Sequence, residues 1–256
     1  MIVRKTTAEV DTMRRAGVVV ASTLELLRNE ARPGVTTGEL DRLAEDHIRS
    51  HGGVPTFKGY RGFPGSICAS PNEMIVHGIP GPYELKDGDL LSVDVGVTLD
   101  GYVADSAITI AIGPVPDRAR ELIEVCQEAL QAAIEQCRSG NRLGDISNAV
   151  QTVVEARGFG VVRALVGHGV GRSMHEDPQI PNYGPAGRGP KLAPGMVFAI
   201  EPMITAGGWS VRGGDDGWAV YTEDGSLSAH CEHTVAITDN GPRVLTLPGS
   251  AQRAAV

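Results

Sequence analysis

Apolar positions recur with a helical period near the start of the chain. From about residue 8 to residue 31 they fall on one face, and Arg32-Pro33-Gly34 ends the pattern. A second helix is predicted from a cap at Thr37 to about Gly52, because apolar residues again return every three or four positions. After a loop rich in Gly and Pro, a strand is predicted near Ser66–Ala69.

The stretch LLSVDVGVTLDGYVADSAIT predicts two strands that carry Asp94 and Asp105. A turn at Leu99-Asp100 would set the two Asp residues opposite each other, whereas a turn at Asp100-Gly101, the stronger turn dipeptide, would leave them diagonal. Both registers put the carboxylates on one face. A lone Asp is usually exposed or ion-paired. Two neighbouring carboxylates on apolar strands instead predict a bound cation or a shared proton.

After Gly113-Pro114 the pattern starts again, with helices predicted over residues 117–137 and about 143–157. A shift of 106 superposes Gly34 on Gly140, and a shift of 107 superposes LKDGDLLSVD on LAPGMVFAIE. Chance alignment of glycines is the alternative. Nearly the same offset kept across two helices and a strand favours an internal repeat, with halves at about 8–113 and 114–241.

The repeat predicts that acidic strands of both halves meet at one site. Glu201 mirrors Asp94, and in the last predicted hairpin, LSAHCEHTVAIT, Glu232 takes the place that Asp105 holds in the first half. His230, Glu232 and Thr234 share one strand face. Four converging carboxylates with imidazoles nearby are typical of a site for two divalent metal ions. The imidazole candidates are His77, His168 and His175. A single His, taken alone, is more often a core or surface residue than a metal ligand.

Composition and charge narrow the class of protein. The 256 residues are 41% hydrophobic and 21% charged, with a net charge of −8 and no Lys/Arg-rich run. These values are ordinary for a globular enzyme and argue against a general nucleic-acid binder, with a local basic patch left open. The N-terminus lacks an apolar signal core, no run of about 18 apolar residues predicts a membrane span, and the four cysteines have no zinc-ribbon or disulfide-scaffold spacing. We therefore expect a cytoplasmic protein without membrane association.

Eight segments together resemble the type I methionine aminopeptidases, and the resemblance runs from RRAG (14–17) to ITDNG (237–241). The segments are ARPGVTTGELD (31–41), NEMIVHGIP (72–80), SVDVG (92–96), ADSAIT (104–109), GHGVGRSMHEDPQIPN (167–182), LAPGMVFAIEPM (192–203), DGWAV (216–220) and SLSAHCEHTVAIT (226–238). The resemblance implies the α/β (α+β) pita-bread fold. In that fold two pseudo-twofold-related halves form a curved antiparallel sheet covered by helices, here as one catalytic domain over 1–256.

The resemblance implies removal of N-terminal methionine before a small second residue. A hydroxide activated by two divalent metal ions would attack the first peptide bond. The implied metal ligands are Asp94, Asp105, His168, Glu201 and Glu232. Asp94 would hold one ion, His168 and Glu201 the other, and Asp105 and Glu232 would bridge them. Glu201 would also carry the catalytic proton, while His77 and His175 would contact the scissile amide and stabilise the tetrahedral intermediate.

The implied methionine pocket consists of Phe57, Tyr60, Phe63, Cys68, Met174 and Trp218. Phe57 stands where relatives commonly have a small residue, and Met174 stands where they commonly have Phe. Both exchanges keep the wall apolar. Without the resemblance, Phe57 and Phe63 would be interpreted as core residues.

The sequence leaves open which metal ion the protein binds and says less about its partners than about its ligands. The ligand set accepts Co, Mn, Fe or Zn. Relatives also bind a monovalent cation through backbone oxygens near the positions of Asn72, Met74 and Ser228. We expect a monomer that acts on nascent polypeptides, with the ribosome as one place of action.

Two rival functions stay open at the level of sequence. A pita-bread peptidase that cuts Xaa-Pro bonds usually has an extra N-terminal domain, whereas here the catalytic pattern begins within the first twenty residues. A metal-free binding protein on the same fold typically loses one or more ligands, and all five are present here.

Overall fold

The computed structural model describes residues 1–248, in which helices and antiparallel strands occur in two successive groups. The helices are α1 (Thr7–Glu30), α2 (Thr37–Ser50), α3 (Asp117–Gln136) and α4 (Leu143–Ala156), with a short 3₁₀ helix at Tyr60–Gly62. No helix in this range has the length and apolar character that crossing a membrane requires. The bounds of the four predicted helices are confirmed to within two residues.

All strand pairs described are antiparallel. The strands are β1 (Val54–Pro55), β2 (Cys68–Pro71), β3 (Met74–Val76), β4 (Leu90–Leu99), β5 (Tyr102–Ala111), β6 (Gly160–Val161), β7 (Gly167–Gly169), β8 (Glu176–Ile180), β9 (Val197–Ile200), β10 (Met203–Thr205), β11 (Val211–Gly213), β12 (Val220–Thr222), β13 (Ser228–His230), β14 (His233–Thr238) and β15 (Gly241–Val244). β4 pairs with β1, β2 and β5, while β9 lies between β7 and β14. β3 pairs with β12, so a strand from the first half joins a sheet of the second.

The first two helices begin with capping boxes that the sequence encodes directly. The Thr6 hydroxyl accepts from the backbone N–H of Glu9, and the Glu9 carboxylate accepts from the backbone N–H of Thr6. Thr36 and Glu39 repeat the arrangement at α2. The prediction of a cap at Thr37 is wrong by one residue, because only Thr36 has the acidic partner three positions on.

The β4–β5 hairpin turns at Asp100-Gly101, the second of the two predicted registers. Both turn residues have positive φ, 50° and 76°, as a type I′ turn requires. Asp94 is therefore paired with Ala107, and Asp105 with Gly96. The two carboxylates lie diagonally across one face of the hairpin.

The internal repeat is present in the structure at the predicted offset. α4 has the same length as α2 and begins 106 residues later. The isolated bridges Thr36–Glu84 and Arg142–Lys191 occupy matching positions. β9 begins 107 residues after β4. The same local hydrogen bonding is therefore built twice.

The predicted equivalence of Glu232 with Asp105 is wrong in register. Asp105 pairs with Gly96 on β4. The residue 107 positions after Gly96 is Met203, and it pairs with His230. His230 therefore takes the ladder position of Asp105, and Glu232 lies two residues further along in the break between β13 and β14. Alternation gives the face of a strand but not its register, so the sequence pattern could not separate the two.

Each half has an apolar core between its helices and its strands. In the first, Leu24 and Leu40 share a buried cluster with Val93; in the second, Leu122 and Phe198 belong to one buried cluster. The end of the described chain returns to α1, where a Cβ added at Gly17 would lie 2.1 Å from the Leu245 carbonyl oxygen. This close approach ties the last strand of the second half to the first helix.

Candidate active site

The five predicted metal ligands come from separate elements but surround one cavity. Asp94 lies on β4, Asp105 on β5 and His168 on β7. Glu201 directly follows β9, and Glu232 lies between β13 and β14. All five line a cavity of about 280 Å³. Ligand atoms of Asp105, His168 and Glu232 lie within 4.8 Å of one another.

His168 presents a lone pair to the carboxylates. Its Nδ1–H donates to the Gly169 carbonyl oxygen at 2.9 Å, which leaves Nε2 as the acceptor nitrogen of the neutral ring. That Nε2 lies 3.4 Å from Glu201 Oε1 and 3.9 Å from Asp105 Oδ2. A lone pair that faces two carboxylate oxygens calls for a cation between them.

The glycines on either side of His168 allow its strand to pack closely. A Cβ at Gly167 would lie 2.5 Å from the Ala199 carbonyl oxygen and 3.5 Å from Glu201 Cγ. A Cβ at Gly169 would lie 2.1 Å from the Asp177 carbonyl oxygen. The GHG motif therefore holds the imidazole beside the Glu201 side chain.

Within residues 1–248, the ion pairs of the buried acids involve only histidines, and no Lys or Arg neutralises them. Among residues 1–248, Asp94 Oδ1, Asp105 Oδ1 and Glu232 Oε1 are buried without a hydrogen-bond partner. Burial raises the pKa of Asp94 to about 7. Burial, followed by the charges of Glu232 and Asp94, raises the pKa of Asp105 well above its ordinary value. Burial and neighbouring carboxylates likewise raise the pKa of Glu201 and of Glu232.

These atoms fit divalent metal binding. Burial lowers the pKa of His168 to about 4, so its imidazole stays neutral and available as a ligand near neutral pH. Bare carboxylate oxygens with an imidazole nitrogen suit transition-metal ions better than Ca²⁺ or Mg²⁺.

The metal-free protein is expected to lose stability as the pH rises from 6.5 to 8. A carboxyl with a raised pKa stabilises the fold while protonated, and this contribution disappears as the pH rises through about 7 for Asp94. The opposing contribution of His168, whose pKa is lowered from 6.5 to about 4, is already complete above pH 6.5. Urea unfolding at several pH values, with and without a divalent metal, measures this. A flat profile without metal would contradict it.

His77 and His175 lie on the same cavity as the acids. The Tyr60 hydroxyl and His175 Nδ1 form a 2.9 Å hydrogen bond, and the rings of His175 and His168 are 4.3 Å apart between centroids. His77 has a positive φ of 61° and faces the Trp218 ring edge-on at 6.5 Å. Burial lowers the pKa of both histidines. They are therefore neutral hydrogen-bonding groups near neutral pH.

The predicted apolar wall adjoins the carboxylates. All six residues, Phe57, Tyr60, Phe63, Cys68, Met174 and Trp218, line the cavity. Phe63 meets Trp218 edge-to-face at 5.1 Å. Phe57 packs on Gly96, where a Cβ would lie 2.7 Å from the ring. Phe57 and Phe63 also belong to a buried core cluster, which confirms the core interpretation, while their part in a methionine pocket stays a prediction.

A sequence profile of metallopeptidase family M24 matches residues 11–239. The chain belongs to metallopeptidase family M24. This M24 member is 54% identical over 247 residues to a methionine aminopeptidase of Clostridium perfringens, with 96% of this chain and 99% of the relative covered. It is 52% identical over 246 residues to methionine aminopeptidase 1 of Bacillus subtilis, with the same coverage. These relatives confirm the resemblance and place the chain among the methionine aminopeptidases.

Solved structures confirm the pita-bread fold of this M24 member. The crystal structure of methionine aminopeptidase from Thermotoga maritima superposes with a TM-score of 0.95 at 45% identity, covering 96% of this chain and all of that one. The prolidase of Pyrococcus furiosus superposes at 0.74 with 22% identity, and only 65% of its chain is covered. The second likeness shows the fold alone.

Several cavity residues of this M24 member gave no signal in the sequence. They are Arg61, Val76, Ala164, Leu165, Val166 and Met203. Arg61, at φ 50°, lies between the positive-φ glycines 59 and 62 in the loop that carries Tyr60. The others are small or apolar residues whose place depends on how the chain passes the cavity. His230, noted only for its strand face, lies within 4 Å of both Glu201 and Glu232.

The region of the expected monovalent cation has converging backbone oxygens. The Ser228 hydroxyl donates to the carbonyl oxygens of Asn72 at 2.9 Å and Met74 at 3.2 Å. Asn72 has a positive φ of 58°, which turns its carbonyl toward Ser228. A cation at this place stays a prediction.

Proposed function

We propose that the protein removes the N-terminal methionine from polypeptides whose second residue is small. One observation carries the proposal: a cluster of buried acids and an imidazole shares its cavity with an apolar wall. The cluster suits hydrolysis, and the wall suits an unbranched apolar side chain. The chain's similarity to methionine aminopeptidases over 96% of its length supports the same substrate.

Two divalent ions would be held by Asp94, Asp105, His168, Glu201 and Glu232. When bound, such ions polarise a carbonyl group and lower the pKa of water. The identity of the metal among Co, Mn, Fe and Zn belongs to the proposal, because this donor set accepts each of them.

Three groups of the chain would handle protons and charge. Glu201, with a pKa raised by burial and neighbouring acids, is suited to accept a proton and return it to the leaving amine. Neutral His77 and His175 are suited to donate hydrogen bonds to the oxygen on which charge develops. The Tyr60 hydroxyl, hydrogen-bonded to His175 Nδ1, holds that ring in place at the pocket edge.

The partners and the setting are proposed with the activity. Nascent polypeptides carry the substrate methionine, so we infer action in the cytoplasm, with the ribosome as one place of action. The net charge of −8 supports the absence of a direct nucleic-acid partner. We also propose a single catalytic domain that acts as a monomer, and a monovalent cation held near Asn72.

The proposed function is tested by chelating the protein and restoring single divalent metals. Release of methionine from a Met-Gly-headed peptide is expected with metal and not without it, while Ala-Gly-headed and Xaa-Pro-headed peptides stay intact. Cleavage of the Xaa-Pro peptides would overturn the substrate. If no peptide is cleaved with any of the metals, the protein is a binding protein on the same fold.

Replacing Trp218 is expected to weaken methionine selectivity. Trp218→Ala removes apolar contact from the pocket wall, and contacts worth about 1–3 kcal/mol change selectivity by roughly 10- to 200-fold. The measurement is the ratio of kcat/KM for Met-headed and norleucine- or Leu-headed peptides, with metal content as a check. Trp209→Ala, at a site 48% exposed, is the matched control. An unchanged ratio in Trp218→Ala would remove Trp218 from the pocket.

A further inference from the structure

We propose that His230 is a positioning residue that orients the carboxylates of Glu201 and Glu232 through its Nε2–H. The inference rests on the proposed metal centre, and it gives a role to a buried group that the catalytic residues described above do not include.

The His230 ring is aimed at both carboxylates. The residue is 2% exposed, and its Nε2 is buried with no hydrogen-bond partner among residues 1–248. Nε2 lies 3.9 Å from Glu201 Oε2 and 3.8 Å from Glu232 Oε2. A shift of less than about 1 Å brings either oxygen within normal hydrogen-bond length. In the described part of the chain, Glu201 and Glu232 are the two acids whose oxygens lie within 4 Å of His230 Nε2.

The division of oxygens on each carboxylate supports a donor at this place. Glu201 directs Oε1 to His168 at 3.4 Å and Oε2 to His230. Glu232 directs Oε2 to His230, while its Oε1 has no hydrogen-bond partner in the part of the chain that the structure describes. Each acid therefore turns one oxygen toward His230 and keeps the other for a cation. Carboxylates that bind metals commonly receive such an outer hydrogen bond.

The backbone of His230 is held firmly enough to position a ring. Its N–H donates to Thr109 Oγ1 at 2.9 Å, and Thr109 Oγ1 is also 2.9 Å from the His230 carbonyl oxygen. Thr109 Oγ1 further contacts Ser92 Oγ at 2.9 Å. The residue is thus fixed to both strands of the β4–β5 hairpin, next to Asp94 and Asp105.

The repeat gives an independent reason to expect His230 at the centre. It takes the ladder position that Asp105, a predicted bridging ligand, has in the first half. That position faces the shared site. In the second half, the hydrogen-bond donor His230 therefore stands where the first half has the carboxylate of Asp105, and it lies beside the carboxylates of Glu201 and Glu232.

The test compares metal affinity in His230→Leu and His230→Gln, measured by calorimetry with Co²⁺. His230→Leu is expected to bind Co²⁺ about 10- to 100-fold more weakly, the usual loss for an outer partner of a ligand. His230→Gln supplies an N–H donor from a similar distance and is expected to restore affinity to within about threefold. His233→Gln, on the neighbouring strand and hydrogen-bonded to Thr246, is the control and is expected to bind as the unchanged protein does.

Two results would overturn the role. Unchanged affinity in His230→Leu would show that the ring does not support the ligands. Affinity in His230→Gln as weak as in His230→Leu, with an altered Co²⁺ visible spectrum, would make His230 a direct ligand instead. If His230→Leu does not fold, His230→Asn provides the contrast. The shorter amide of Asn does not reach the two carboxylates, so this variant is expected to bind Co²⁺ more weakly than His230→Gln does.

Metal affinity separates this inference from the proposed function. An unchanged protein that binds Co²⁺ but releases no methionine would defeat the function and leave the role of His230 standing. Normal methionine release by a His230→Leu variant of unchanged affinity would do the reverse.

Discussion

His168→Ala is expected to weaken divalent-metal binding by more than about 100-fold and to remove methionine release at micromolar metal. The loss exceeds the 10- to 100-fold typical of an outer partner, because the imidazole itself would be the ligand. Its Nε2 is the nitrogen that lies 3.4 Å from Glu201 Oε1 and 3.9 Å from Asp105 Oδ2. Calorimetric titration and peptide cleavage on the same samples measure both effects.

The fold of His168→Ala is expected to persist, because the change removes a lone pair that faces carboxylates. Thermal unfolding without metal should therefore be close to that of the unchanged protein. His47→Ala, which removes a half-buried imidazole 2.9 Å from Ser22 Oγ on the helical side, is the control and should keep both affinity and turnover. Near-normal turnover in His168→Ala at low metal would exclude His168 as a ligand.

Glu201→Gln is expected to lower kcat by about 10²- to 10⁴-fold even at saturating metal. An amide oxygen can still face a cation, but an amide cannot accept and return the catalytic proton. A positioned general acid or base typically accelerates a reaction by this factor. The measurement is kcat at a metal concentration that fills the site, with bound metal determined in parallel. The loss should appear mainly in kcat rather than in KM.

The control for Glu201→Gln is Glu128→Gln, which alters an exposed acid paired with Arg157 on the outer helices. It should leave kcat unchanged. A Glu201→Gln variant whose activity is fully restored by added metal would make Glu201 a ligand only. In that case another group must carry the proton.

The sequence predicts the helices well because capping and period are local properties. Thr36 and Glu39 are three residues apart, and both ends of α2 follow from nearby residues. The strand predicted near Ser66–Ala69 is displaced to Cys68–Pro71, because its position is set by pairing with β4 rather than by its own residues.

The candidate site follows from the sequence only where its motifs are specific. The structure brings all thirteen predicted residues to one cavity, while their individual roles stay predictions. His230 was not predicted as a site residue, since its importance depends on the register of β10 with β13. Residues such as Leu165 could not be predicted either, because nothing in a local apolar stretch shows which cavity it will border.

The difference between the two halves at equivalent positions has a consequence for symmetry. Two identical subunits around a twofold axis must carry the same residue at both equivalent places. Here one chain contains both halves, so each place varies separately: Asp94 is matched by the longer Glu201, and Asp105 by His230. The two sides of the site therefore offer different ligand atoms. Covalent linkage of the halves thus permits an asymmetric site that a symmetric dimer of either half could not build.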